Sequence, residues 1–344
     1  MSYEHRFDAV VAVLVDHQHT ELLVSLAFEG VEQVPELVDP VDGRHDEVES
    51  HGRTLTPVPL VSVLLAVHDD ARFLPEAIDS VLAQTLEDLE LLVIDDASTD
   101  DSPAILAAVD DPRLVVLRNE EQSGLAASLN RGLDRGSGKY VARLDADDVA
   151  EPDRLRLQVE RLRLETRTAI VGSAVVDLDE RGRRGRTHVL PRGARPLRWH
   201  ALFSSPFFHP TVLVDREALE AHGLRYDPSF LESEDYDLWT RLFAHADGDN
   251  LHEALVLKRV HAGQASQQRA YLQESFQRQV AVREIGRLAP DVDAELAWRV
   301  GARKGVPRGG RRAFLRLLAA FERTYGRDLA VRIAAFRALP GRRP

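Results

Sequence analysis

Between Pro57 and Asp148 short β-branched runs alternate with segments of helical period, and this alternation most narrows the folds open to the chain. Val61 to Val67 reads as a strand, after which Leu74, Ala77, Ile78, Val81 and Leu82 recur at the spacing of one helix face. Leu89 to Ile94 is a second strand, Pro103 to Val109 a helix, Leu114 to Leu117 a third strand, and Gly124 to Leu133 a helix again. Gly136–Ser137–Gly138 turns the chain into a fourth strand that begins at Lys139. Strands separated by helices pair in parallel, so an α/β fold with a doubly wound, mainly parallel sheet is expected, its strand-to-helix loops gathered at one edge. Such sheets bind ligands at the carboxyl ends of their strands.

Two of these strands end in acid. The second runs into Asp95–Asp96–Ala97–Ser98–Thr99–Asp100–Asp101, the fourth into Asp145–Ala146–Asp147–Asp148, with Pro152 expected to open the next helix. Asp145 and Asp147 can reach one hard cation, and three clustered carboxylates without a counter-ion are electrostatically costly, which points to a divalent metal site. Capping and solvated turns are the competing explanation for an isolated motif of this kind, and capping is the expected role of Ser98 and Thr99. A calcium loop is excluded because Val149 and Ala150 stand where a ligand and the turn glycine are needed. An aspartyl-phosphate enzyme or receiver domain needs a lysine downstream, and none occurs between Lys139 and Lys258.

The 344 residues carry a net charge of −12, which disfavours nucleic acid as a partner, and no cysteine, which removes disulfides and thiolate metal sites. Met1 to Asp8 lacks the basic region of a signal peptide, and no apolar run reaches membrane-span length, so a cytoplasmic location is expected. Residues 1–56 read as a small N-terminal extension with an acidic linker; its His17 and His19 are expected to be solvated. The loop Arg181 to Arg186 reads as a hairpin tip. From Gln267 the chain is helical, with Tyr271, Phe276, Val280 and Ile285 spaced for packing. After Arg299 arginines interleave with Phe314, Leu315, Leu317, Leu318, Phe321, Leu329, Val331, Ile333 and Phe336. This basic amphipathic tail is expected either to pack on the acidic domain or to touch the inner face of a membrane.

Pro59 to Leu64, Glu90 to Asp100, Tyr140 to Asp148 and Ser233–Glu234–Asp235–Tyr236–Asp237–Leu238–Trp239, in this order, resemble the family 2 glycosyltransferases of the GT-A fold over residues 57–265, leaving 266–344 as a helical C-terminal region. The resemblance implies an inverting transferase moving a sugar from a nucleotide-diphosphate donor, UDP- or dTDP-linked, to a hydroxyl of a glycan, lipid-linked or protein acceptor. It also implies that Asp96 contacts the nucleotide base, that Asp145 and Asp147 contact ribose and a Mg²⁺ or Mn²⁺ ion, and that Asp235 is the general base. Ser205 to Val214 resembles the segment lining the acceptor side, making His209 a nucleotide-sugar-binding candidate. Val260 to Ser266 resembles the closing motif, making His261 a metal candidate. Ala97 replaces a usual glycine, Asp69 a common asparagine, and Ser204 or Ser205 another. The chemistry wants the same parts: charge must be neutralised on a departing diphosphate, and a carboxylate must take the proton of the attacking hydroxyl. Asp235 could instead be an acid at a helix start. A metal-dependent phosphohydrolase using Asp145 and a non-catalytic nucleotide-sugar-binding module are the alternatives.

Overall fold

The computed structural model describes residues 58–261 and 270–339. The N-terminal extension, with His17 and His19, and the closing motif beyond His261 lie outside the described residues. β1 (Val61–Val67), β2 (Leu89–Asp95), β3 (Leu114–Arg118) and β4 (Tyr140–Arg143) pair in parallel in the order β3-β2-β1-β4. Between them run α1 (Leu74–Leu82), α2 (Ser102–Ala108) and α3 (Leu125–Arg135). Alternation along the strands divides the core between the two sheet faces. Val61, Val63, Leu65, Leu89, Leu91 and Val93 pack on one face against Ala77, Ile78 and Val81 of α1, while Leu64, Leu92 and Ile94 pack on the other against Leu129 and Leu133 of α3.

Beyond β4 the sheet becomes mixed. β5 (Val149–Ala150), β6 (Thr168–Asp179), β7 (Arg184–His188), β8 (Leu213–Asp215) and β9 (Asp247–Val260) extend it, β8 lying antiparallel to both β4 and β6, and β9 parallel to β6. β6 is a single long strand, irregular in its register with β9 between Thr168 and Val175. β5 was not expected. It follows the acidic cluster at once and pairs antiparallel with β9, so Val149 faces Leu257 and the cluster is clamped to the strand that ends at Val260. The helix expected from Pro152 starts later, as α4 (Arg154–Leu164). The Arg181 to Arg186 hairpin forms between β6 and β7, with Arg184 paired to Glu151 at 2.7 Å.

Helices α5 (Ala194–His200), α6 (Arg216–Glu220) and α7 (Glu234–Leu242) flank the second half of the sheet. The C-terminal region is α8 (Ala270–Leu288), α9 (Ala294–Gly301), α10 (Gly310–Tyr325) and α11 (Leu329–Ala338). It shares a third core with the sheet domain, built on Trp199 of α5, Tyr236 of α7, and Val280, Ile285, Phe314, Phe321 and Val331. Tyr271, expected to pack, is 85% exposed. On α10 Phe314, Leu317, Leu318 and Phe321 are buried and Leu315 is exposed, while on α11 Val331 is buried and Leu329, Ile333 and Phe336 are exposed.

Candidate active site

The carboxyl ends of β1, β2 and β4 share one edge, and the loops leaving them are laced together. The Asp69 carboxylate accepts from the N–H groups of Thr99 (2.7 Å) and Asp100 (3.2 Å), and the Asp69 N–H donates to Ser98 Oγ (3.1 Å). Ser98 and Thr99 therefore bridge two loops instead of capping α2, whose first amide, at Ser102, donates to Asp100 (2.9 Å). Asp69 and Ala97 both sit at positive φ, 52° and 59°. The backbone conformation that glycine favours is thus retained at Ala97, where the side chain makes it strained.

Asp96 is buried in a socket made by the start of α3. Its carboxylate accepts from the N–H groups of Ser123 and Gly124 (both 2.8 Å) and from Asn119 Nδ2 (2.6 Å). Burial alone would raise this carboxyl, but those hydrogen bonds outweigh it and hold Asp96 below the usual carboxylate value. Asp96 is therefore an anion. Its Oδ2 accepts from the N–H of Gly124, and a carboxylate oxygen has room for a second donor.

Carboxylate oxygens of Asp145, Asp147 and Asp148 lie within 4.8 Å of one another. Asp145 is ion-paired with Arg143, Asp147 meets His261 Nε2 at 3.0 Å, and Asp148 accepts the N–H of Arg259 at 2.8 Å. The second Asp148 oxygen, Oδ2, is buried and has no partner among the described residues. Burial, then the charges of Asp145 and Asp147, push the Asp148 carboxyl well above its usual value. Asp70 adds a further acid, pushed up to about 6 by burial and then by Asp147. Three crowded carboxylates, one with an unsatisfied buried oxygen, fit a hard divalent cation, which Asp145, Asp147 and Asp148 would hold. His261 is hydrogen-bonded to Asp147, the position of a group that orients a ligand carboxylate.

Asp235 stands at the start of α7. Ser233 precedes the helix but does not cap it; its Oγ donates to the carbonyl of Glu232 (2.6 Å). Burial pushes the Asp235 carboxyl up to about 6, moderated by hydrogen bonds that include Ser205 Oγ at 3.2 Å. Neighbouring Glu234 is pushed up to about 8, by burial first and then by the charge of Asp235. Both carboxyls of the pair are thus raised, Glu234 further than Asp235. His209 lies here too: its ring nitrogens face Tyr226 Oη (3.0 Å) and Glu234 (3.8 Å), which puts it beside the candidate base. Burial pushes its imidazole well below the usual range, so it is neutral.

Arg143 links the two clusters, and the sequence analysis gave it no role. It is buried, its Nε and Nη1 lack partners among the described residues, and it acts electrostatically on Asp235, Glu234, His209 and Tyr226. His209 joins Tyr226 (3.0 Å) to Glu234 (3.8 Å) on the α7 side, while Arg143 is ion-paired with Asp145 on the strand-end side. An arginine inside the apolar run Tyr140 to Leu144 was the available signal. Arg259 was also missed; it donates to the Asp147 carbonyl (2.7 Å), pairs with Glu76 and lies 4.4 Å over the Phe73 ring.

A sheet of this order, carrying two acidic strand ends and a separate buried carboxylate, defines a GT-A glycosyltransferase. The chain belongs to glycosyl transferase family 2, whose family model matches residues 62–223. It is 37% identical over 202 residues to EpsE of Bacillus subtilis, which carries a glycosyltransferase name, covering 57% of this chain and 72% of that one. It is 34% identical to the succinoglycan biosynthesis protein ExoO of Rhizobium meliloti over 190 residues, 53% of this chain and 55% of that one. Among solved structures, TarS of S. aureus with UDP-GlcNAc superposes with TM-score 0.53 at 16% identity, over 80% of this chain and 90% of that one. The mannosyltransferase PcManGT of Pyrobaculum calidifontis, with GDP-Man and Mn²⁺, gives 0.53 at 20%, over 82% and 80%. The protein is a glycosyltransferase. The phosphohydrolase and binding-module alternatives find no support in these relatives.

Proposed function

We propose that this glycosyltransferase moves a sugar from a nucleotide diphosphate to an acceptor hydroxyl with inversion, and that Asp235 is the base. Its carboxyl at about 6 is a strong enough base to accept a proton yet ionised at neutral pH. The acceptor oxygen loses its proton to Asp235 and bonds to the anomeric carbon, while the bond from that carbon to the diphosphate oxygen breaks and the nucleoside diphosphate leaves. A single displacement of this kind inverts the anomeric centre. Asp96, a hydrogen-bonded anion with acceptor capacity on Oδ2, would receive the imino N–H of a pyrimidine, which favours a UDP- or dTDP-sugar. Mg²⁺ or Mn²⁺ held by Asp145, Asp147 and Asp148 would supply neutralisation of the diphosphate charge. His261 would orient Asp147, and His209 would help shape the sugar pocket beside Glu234.

The observation that carries this reading is the buried Asp235 carboxyl, bonded by Ser205 Oγ at 3.2 Å and acted on by Arg143, which is itself ion-paired with the strand-end Asp145. A relative named for succinoglycan biosynthesis supports a glycan, free or lipid-linked, as acceptor. No helix among the described residues is long and apolar enough to cross a membrane. Leu329, Ile333 and Phe336 share one exposed face of α11 with arginines on either side, which supports docking on an anionic membrane surface. We treat residues 1–56 as an extension outside the catalytic domain of 57–265.

Calorimetry against UDP-, dTDP- and GDP-sugars with Mn²⁺ tests the donor. A pyrimidine nucleotide sugar should bind, and Asp147→Ala should abolish the metal-dependent part. No binding by any of them, or unchanged metal dependence in Asp147→Ala, would reject the assignment. NMR of the product anomer tests inversion.

A further inference from the structure

The helix that carries the candidate base, α7, is gripped from its far side by the C-terminal region. Residues two apart on a helix point about 200° away from each other, so Asp237 faces away from Asp235 and meets α8 instead. Asp237 is only 2% exposed, and two guanidinium groups enclose its carboxylate. Arg283 of α8 donates from Nη1 to Oδ1 (2.5 Å), and Arg241 donates from Nε to Oδ2 (2.8 Å). Arg283 has two further arms: Nη2 donates to Thr240 Oγ1 (2.9 Å), farther along α7, and Nε to Glu284 (2.7 Å). At the start of α7, Ser233 Oγ meets the Gln273 carbonyl of α8 at 3.4 Å. The contacts therefore fall in the same order along both helices. Between the two acids, Tyr236 is fully buried in the core that α7 shares with Val280 and Ile285 of α8.

Apolar packing holds two helices together but lets them slide, because burial has no direction. A planar guanidinium seated on a carboxylate and a hydroxyl fixes both direction and distance. A buried ion pair is often no more stabilising than apolar side chains of the same volume, so the clamp on α7 calls for a positional reason. One lies two residues away. A general base works only within hydrogen-bond reach of the proton it takes, and a misplacement of about 1 Å can cost about 10²-fold in rate. We propose that Arg283 is a positioning residue of the transferase: acting through Asp237, it sets the rotation and advance of α7 and so places Asp235 against the acceptor hydroxyl. This role rests on Asp235 being the base. It makes α8, which follows the catalytic domain of 57–265, part of the active-site scaffold. It leaves the donor side alone, since Asp96 and the Asp145 to Asp148 cluster follow β2 and β4, and among the described residues Arg283 bonds to neither.

A double-mutant cycle on the full chain separates positioning from support of the fold. Arg283→Met removes the fork, and Arg283→Lys keeps the charge with a single point of contact. The readouts are Tm, calorimetry with Mn²⁺ and UDP-, dTDP- and GDP-sugars, and nucleoside-diphosphate release from whichever donor binds, with water as the acceptor. Arg283→Met should bind that donor within about twofold of the wild type yet release the diphosphate about ten- to a hundredfold more slowly, with Arg283→Lys falling between. In an Asp235→Asn background Arg283→Met should cost less than about twofold, because a carboxylate that is gone cannot be misplaced. An equal fold loss in both backgrounds, a donor affinity that falls as far as the rate, or an undiminished rate in Arg283→Met would each overturn the proposal. Where Arg283→Met melts too low to assay, Thr240→Val removes only the acceptor of the second arm and enters the same cycle. Its expected loss is about three- to tenfold, and no loss, or an equal loss in both backgrounds, overturns the proposal. Undiminished release by Asp235→Asn alone would instead bring down the base assignment, and the positioning role with it.

Discussion

Asp235→Asn separates a catalytic carboxylate from a structural one because its two effects run in opposite directions. Holding the Asp235 carboxyl at about 6 against an ordinary 3.8 means that its ionised form is disfavoured in the fold, by about 3 kcal/mol at most. The sign follows from linkage: the folded value is raised, so the cost is absent below about pH 3.8, grows as pH rises, and is complete above about 6. Asparagine keeps the shape and can accept from Ser205 Oγ. At pH 8 the variant should therefore melt several degrees higher than the wild type, roughly 2 °C per kcal/mol for a chain of this size. That gain should shrink through pH 6 and vanish near pH 3. Turnover should fall by about 10² to 10⁴, the range for loss of a general base. Wild-type turnover should rise with pH and level off above about 6. Differential scanning calorimetry across pH and a nucleoside-diphosphate release assay read the two effects. Undiminished turnover, or a Tm several degrees lower at pH 8, would refute the reasoning.

Ala97→Gly should raise stability by about 1 kcal/mol in urea unfolding, because Ala97 occupies φ 59° where a Cβ is strained; no change would mean that the loop relaxes at no cost. Combined Leu329→Ser, Ile333→Ser and Phe336→Ser should leave Tm within about 1 °C while abolishing flotation with phosphatidylglycerol vesicles, since all three are exposed. Equal flotation of variant and wild type, or none by the wild type, would remove the membrane contact.

The sequence by itself determined the parallel half of the sheet, β1 to β4. Short apolar, β-branched runs at Val61, Leu89 and Leu114, separated by helical segments, permit little besides parallel pairing, and parallel pairing sends Asp95, Asp96 and the Asp145 to Asp148 cluster to one edge. Those are local signals, and the burial of Leu64 and Leu92 opposite Val63 and Leu91 follows from the same alternation. What only the tertiary structure decided is long-range. The partners of Asp148 and Asp147 come from Arg259 and His261, more than a hundred residues away, because a two-residue strand at Val149 happens to pair with β9. Whether Ser98 caps a helix or bridges to Asp69 depends on which loop lies nearby, and Ser98 itself carries no mark of it. The elevated carboxyl of Asp235 and the guanidinium nitrogens of Arg143 that lack partners among the described residues both arise from exclusion of water by packed elements. Desolvation is a property of what surrounds a group, and chain order does not encode it residue by residue.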